Sequence, residues 1–313
     1  MVSKSPNQHK TVKTNIVLLV SLLFVFVFAG ALISCYIIKG INDNTSPDPD
    51  ASIHEAEPEP EPEPEPVLPP AISFQTVIDN WANYVGGSKS VIIYDLDRDE
   101  IAGESNPDES YNTASLYKLF VVYDGYRKVQ SGEWQSDSPA GNTGYSIIEC
   151  LDLAIRESNS SCAETLWSMI GRYDLATIVT DDYHITDSDI SSLISNPRDI
   201  LKMMQIFYKH EEITNEELIA RMKDSFLVQP ITTYNWRQGL PSGFSKANVY
   251  NKVGWDYNPD GGYWNIYHDA AIVEFPETNR HFIVVVMSNK VPFSKITNLG
   301  KQIEGYYYSS LND

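Results

Sequence analysis

The sequence predicts an α/β protein of the α+β type: an antiparallel sheet whose early and late strands are separated by a long helical block. Three observations carry this. Residues 90–96 and 101–104 read as strands joined by the polar turn Asp97-Arg98-Asp99-Glu100. Residues 146–223 are helical in pattern and poor in strands. Strand patterns resume at 248–255, 264–274 and 281–288, with hairpin-length connections that favour antiparallel pairing.

The elements follow in order. Residues 74–85 have helical spacing, and Gly86-Gly87 ends them. The strand at 90–96 is a run of β-branched and aromatic residues, and 101–104 pairs back on it. A helix follows the polar loop at 106–110 and runs to about Val129. Within the block, 147–155, 162–170 and 197–209 are the clearest helices. Asn196-Pro197-Arg198-Asp199 is a helix start with proline at the first position. A last helix, 296–307, closes the chain.

The region before this domain has a different physics. Residues 1–15 carry Lys4, Lys10 and Lys13 and no acid. Residues 16–38 hold no charge and are long enough to span a bilayer as a helix. Lysines before the span keep 1–15 cytoplasmic and put the remainder outside. A cleaved signal peptide and a lipoprotein, with Cys35 lipidated after Leu32-Ile33-Ser34, are competing readings. The apolar Tyr36-Ile37-Ile38 favours an uncleaved anchor. All three place the domain outside the cytoplasmic membrane. Residues 41–70 form an acidic linker with five Glu-Pro repeats between Glu57 and Pro66. Such sequence is extended, and thirty residues reach up to about 90 Å. That spacing suits a substrate in the cell wall. Residues 72–313 form the remaining domain.

Composition excludes some functions. The 313 residues carry a net charge of −19, so the basic footprint of a nucleic-acid binder is missing. Cys150 and Cys162 flank the loop Glu157-Ser158-Asn159-Ser160; outside the cell a disulfide is permitted, and two buried thiols are the alternative. Two cysteines alone do not make a metal site, and no cofactor is implied.

The chemistry centres on Thr113-Ala114-Ser115-Leu116-Tyr117-Lys118. Ser115 and Lys118 share one face of a helix, a turn apart. A serine is a poor nucleophile without a base in reach. A lysine becomes that base when burial or a positive neighbour lowers its pKa. The helix start would lend N–H groups to an anion forming near Ser115. Downstream lie Ser158-Asn159-Ser160, in a loop between two helices, and Lys252-Val253-Gly254-Trp255 at a strand end.

In this order and spacing the three stretches resemble the Ser-x-x-Lys, Ser-Asp-Asn and Lys-Thr-Gly motifs of class A β-lactamases and penicillin-binding proteins. Asn196-Pro197-Arg198-Asp199 and the strand around Tyr267-His268-Asp269-Ala270 also look like that superfamily. The resemblance covers roughly 72–313. It implies flanking helices on the sheet, an inserted helical subdomain, and a site in the groove between them. It also implies roles. Ser115 forms an acyl-enzyme, Lys118 takes or relays its proton, and Ser158 passes a proton to the leaving nitrogen. Ser160, Lys252, Gly254 and Trp255 bind substrate: Lys252 supplies positive charge that also lowers the Lys118 pKa, and Ser160 contacts the substrate amide. The N–H groups of Ser115 and Trp255 form the oxyanion hole.

The departures bear on turnover. Val253 stands where the family has a hydroxyl residue. No glutamate lies between Glu164 and Glu211, so the family's deacylating base is missing unless Asp181, Asp182, Asp187 or Asp189 replaces it. His268-Asp269 reads as a buried hydrogen-bonded pair rather than part of a triad. The expected activity is that of a membrane-anchored serine hydrolase opening β-lactams. A D,D-peptidase acting on peptidoglycan stem peptides and a non-catalytic wall-binding or β-lactam-sensing module are the alternatives; the 15 residues before the span argue against a sensor. The implied partners are the substrate and the membrane, with a monomeric chain and no nucleic acid.

Overall fold

The structure is a computed structural model that describes residues 68–210, 212–227, 237–257 and 265–311. Its centre is a five-stranded antiparallel sheet in the order β2-β1-β7-β6-β5. The strands are β1 (Ser88–Asp95), β2 (Glu100–Ser105), β5 (Asn248–Tyr257), β6 (Asn265–Phe275) and β7 (Arg280–Asn289). β7 is the middle strand and apolar on both faces. Phe282, Val284 and Val286 pack on one side, Ile283, Val285 and Met287 on the other. Period-two alternation thus builds two cores from one strand.

The first core lies against α1 (Gln75–Tyr84) and α8 (Phe293–Ser310), with Ile78, Trp81, Ile296 and Ile303 buried. The second core belongs to the helical block between β2 and β5. Its helices are α2 (Tyr117–Gln130), α3 (Ile147–Arg156), α4 (Ser160–Ile170), α5 (Arg172–Asp181), α6 (Pro197–Lys209) and α7 (Glu216–Leu227). α2 is the block's axis: all residues from Tyr117 to Tyr126 are buried. The helix starts are chemically marked. Ser146 and Glu149 form a capping box on α3. Asn196 caps α6, accepting from the Asp199 N–H at 2.8 Å, with Pro197 at the first position as expected.

Flanking helices and an inserted helical block were expected, and both are present. One element escaped the pattern. A two-residue ladder pairs β3 (Tyr111–Asn112) with β4 (Ile194–Ser195), too short for periodicity to reveal. Cys150 and Cys162 are joined in a disulfide, which closes the alternative of two thiols. It ties α3 to α4 across the turn that carries Ser158. Among the described residues no helix is long and apolar enough to cross a membrane. The expected span at 16–38, Cys35 and the Glu-Pro repeats lie outside the described residues.

Candidate active site

Ser115 was expected in the first turn of an α-helix. It lies instead on a 3-10 turn, Ala114–Leu116, that leads into α2 at Tyr117. Ala114 causes the difference: its φ of 44° is left-handed, which an alanine adopts only under constraint. The constraints are visible. The Asn112 side chain accepts from the Ala114 N–H at 2.9 Å. The Thr113 N–H donates to the Leu193 carbonyl at 2.8 Å, which places the 183–195 loop against the turn. His268 holds the Asn112 carbonyl at 2.8 Å through Nε2. Its Nδ1 accepts the Ser288 N–H at 2.9 Å, so Nε2 carries the proton.

β5 is the edge strand beside this turn. A Cβ on Gly254 would lie 2.8 Å from the Thr113 carbonyl oxygen and 3.1 Å from the His268 side chain. Glycine at 254 is therefore what lets β5 approach the nucleophile, and it brings Trp255 alongside. Val253 does not face the site; it is buried with the α1/α8 core. The hydroxyl missing there is thus replaced by a core contact.

Lys118 is fully buried. Its Nζ donates to the Ser158 carbonyl at 2.5 Å, Ser160 Oγ at 3.0 Å and Ser158 Oγ at 3.3 Å. Lys252, also buried, donates to the same Ser158 Oγ at 2.8 Å and to the Val253 carbonyl at 2.8 Å. Two amines therefore converge on one hydroxyl. Ser158 has a left-handed backbone, φ 55°, and Asn159 behind it caps α4 by accepting the Cys162 N–H at 3.0 Å. The Ser115 hydroxyl makes no hydrogen bond among the described residues.

Burial brings the Lys118 pKa down to about 8, and the charge of Glu164 pulls it back up. Lys252 is held well below the ordinary lysine value, first by burial and then by Lys118, with Asp269 opposing. Desolvation is the main cause at both amines, and the repulsion between them adds to it at Lys252.

His268 and Asp269 are buried, but not as a pair. As neighbours on β6 they point to opposite faces. The Asp269 carboxylate accepts from the Leu240 N–H at 2.7 Å and from Asn251 at 2.9 Å. Of the loop aspartates, Asp182 pairs with Arg127 at 3.1 Å, and Asp189 accepts from the Ser192 N–H at 3.2 Å. The carboxylate whose charge reaches Lys118 is Glu164, on α4. Sequence reasoning passed over it, although its spacing of four from Ser160 puts both on one helix face. Its Oε1 accepts from the Tyr117 hydroxyl at 2.7 Å. Among the described residues no group of His, Cys, Asp and Glu could hold a metal ion. A cavity of about 380 Å³ lies elsewhere, between α6, α7 and β5–β7, lined by Phe207, Met222, Phe226 and Ile272 among others; it contains none of these residues.

Comparison with known proteins gives a consistent result. A family described as the β-lactamase enzyme family matches residues 73–306. The sequence matches none of the curated proteins compared. Among solved structures, PBP-A aligns with a TM-score of 0.63 at 16% identity, covering 78% of this chain and 100% of that one. A class A β-lactamase from Bacteroides cellulosilyticus aligns at 0.62 and 16% identity, covering 76% and 96%. The TLA-1 extended-spectrum β-lactamase aligns at 0.63 and 14% identity, covering 75% and 98%. At such identities the structures speak to the fold alone.

Proposed function

Because the chain belongs to the β-lactamase enzyme family, we propose that it is a serine hydrolase that opens a β-lactam or related amide through an acyl-enzyme on Ser115. The observation that carries this is the convergence of Lys118 and Lys252 on the Ser158 hydroxyl, beside the strained turn of Ser115. Ser115 Oγ attacks the carbonyl carbon and its proton passes to the free amine of Lys118. The C–N bond breaks as Ser158 hands its proton to the leaving nitrogen and takes the one held by Lys118 in its place. The N–H groups of Ser115 and Trp255 hold the oxyanion, while Lys252, Gly254 and Ser160 form the substrate-binding edge. Water then hydrolyses the ester.

The domain sits outside the cell in this reading, tethered by a single span at 16–38 through the 41–70 linker, with residues 1–15 in the cytoplasm. Protease added to intact spheroplasts should remove the domain, and its survival there would refute the placement. A monomeric chain suffices, since every residue in the scheme comes from one copy.

A penicillin-binding D,D-peptidase is the second reading. It is favoured by the loop aspartates, of which Asp182 and Asp189 are engaged away from Lys118. Intact mass spectrometry of the chain with a penicillin tests both readings. An adduct on the Ser115 peptide that is absent in Ser115→Ala is expected. An adduct that decays within seconds supports β-lactam turnover, and one that persists supports the peptidase. Labelling that survives Ser115→Ala refutes the nucleophile.

A further inference from the structure

Glu164 stands in a closed ring of four side chains at the lip of the site. Its Oε1 accepts the Tyr117 hydroxyl at 2.7 Å, and its Oε2 is bridged to Arg172. The Arg172 guanidinium lies 4.1 Å from the centre of the Trp167 ring. Trp167 is fully buried and packs on Tyr117 with ring centres 4.9 Å apart. Tyr117 adjoins Lys118 in the chain, and the Lys118 Nζ lies 5.9 Å from its ring centre. Burial and then Glu164 push the Tyr117 hydroxyl far above its ordinary value, so it remains a donor.

We propose that Glu164 is a positioning residue of this site: an anion pinned at both oxygens that acts on Ser115 only through Lys118, by holding the lysine's proton. The proposal rests on the reading of Ser115 and Lys118 given above. With both oxygens engaged, Glu164 is held in place and not free to swing in as a deacylating base. The charged and titratable groups around Lys118 are few. α4 contributes Glu164, α5 contributes Arg172 beside it, β5 contributes Lys252, and β6 contributes Asp269 behind Lys252; Tyr117 is its neighbour on α2. Ser158 and Ser160 accept from the amine but carry no charge. Burial pulls the proton off Lys118, and Glu164 opposes it. The Lys118 bonds to Ser158 and Ser160 hold the start of α4 against α2.

The signs follow. Removing the Glu164 charge frees the Lys118 amine at lower pH. Removing the Arg172 charge leaves Glu164 uncompensated and retains the proton to higher pH. Removing only the Tyr117 hydroxyl changes the ring without changing its charge. Glu164 is 45% exposed at its side chain, so solvent screens most of the effect. A shift of about half a pH unit is expected, which is about threefold more free amine well below the midpoint.

The test is the titration midpoint of Lys118, read from the ¹³Cε signal of the full-length chain labelled at lysine. Loss of the signal in Lys118→Arg assigns it. The expected order of midpoints is Glu164→Gln below wild type, Tyr117→Phe level with wild type, and Arg172→Gln above. Coincident midpoints for Glu164→Gln and wild type would overturn the proposal. So would an equal shift in Tyr117→Phe, which would make the effect one of packing. Penicillin labelling separates the two levels. A chain with the expected midpoints but no Ser115 adduct keeps the link from Glu164 to Lys118 and loses the catalytic reading. A chain with the adduct and coincident midpoints does the reverse.

Discussion

His268 and Asp269 are adjacent, fully buried and titrate in opposite senses, so each should conceal the other's effect on stability. Burial drives the His268 pKa down from 6.5 to about 4. Burial drives the Asp269 pKa up from 3.8 to about 7, against hydrogen bonds from Asn251 and Leu240. Between about pH 4 and 6.5 the unfolded chain holds the extra histidine proton, so His268 makes stability rise with pH by about 1.4 kcal/mol per unit. In the same window the folded chain holds the extra Asp269 proton. That contribution is fully present below 3.8 and lost as pH rises toward 7, with the same slope and opposite sign. The two cancel in the wild type.

Single substitutions should therefore unmask them. From about pH 4.5 to about pH 6, His268→Gln should lose about 2 kcal/mol relative to wild type, and Asp269→Asn should gain about as much. Urea unfolding followed by tryptophan fluorescence reads this as opposite midpoint shifts of about 0.7–1 M. Comparing slopes, not absolute stabilities, removes the cost of the lost hydrogen bonds and the titration of every other group. Profiles parallel to wild type for both variants would refute the reasoning.

Two further outcomes rest on single contacts. Gly254→Ala places a Cβ 2.8 Å from the Thr113 carbonyl, so β5 must move off the Ser115 turn. Acylation should fall about 100-fold for a displacement approaching 1 Å, while overpacking costs about 1–3 kcal/mol of stability; an unchanged acylation rate would show that this approach does not position the site. Opening the Cys150–Cys162 bond, which closes a segment of 12 residues, should cost about 3 kcal/mol in chain entropy. Unfolding of Cys150→Ala/Cys162→Ala at the wild-type urea concentration would sink that estimate.

The fold was readable where side-chain period and chain order act together. Phe282–Met287 is apolar at every position and became the middle strand, where both faces are buried. Asn196-Pro197 marked its helix start because cap chemistry is local. The order Ser115, Lys118, Ser158, Lys252 marked the site because these types are needed together, and the structure brings both lysines within hydrogen-bond distance of Ser158. What stayed hidden is non-local. Nothing in the sequence near Ala114 announces a left-handed residue, because its constraints come from Asn112, Leu193 and His268. Glu164 was overlooked because a deacylating carboxylate was sought in the loop, while the structure supplies a charge from α4. Alternation along β6 already separates His268 from Asp269, so reading them as a pair ignored the strand's own period.

Lys252 bears most directly on substrate recognition. The resemblance assigns it a standing positive charge for a substrate carboxylate. Full burial holds its pKa well below the ordinary value, and Lys118 lowers it further. Its two hydrogen bonds, to Ser158 Oγ and the Val253 carbonyl, are both donated and need only a neutral amine. A carboxylate arriving beside it reverses the balance, because an opposite charge in a dry site favours the ammonium. Binding of an anionic substrate should therefore raise the Lys252 pKa and take up part of a proton wherever the resting amine is partly deprotonated. Calorimetry of penicillin binding to Ser115→Ala in buffers of different ionisation enthalpy isolates this from acylation. The apparent enthalpy should vary with the buffer in the wild-type Lys252 background and lose that dependence in Lys252→Ala. Tight binding with a buffer-independent enthalpy would mean that Lys252 is charged before the substrate arrives, and that burial of this amine is offset by something stronger than Asp269.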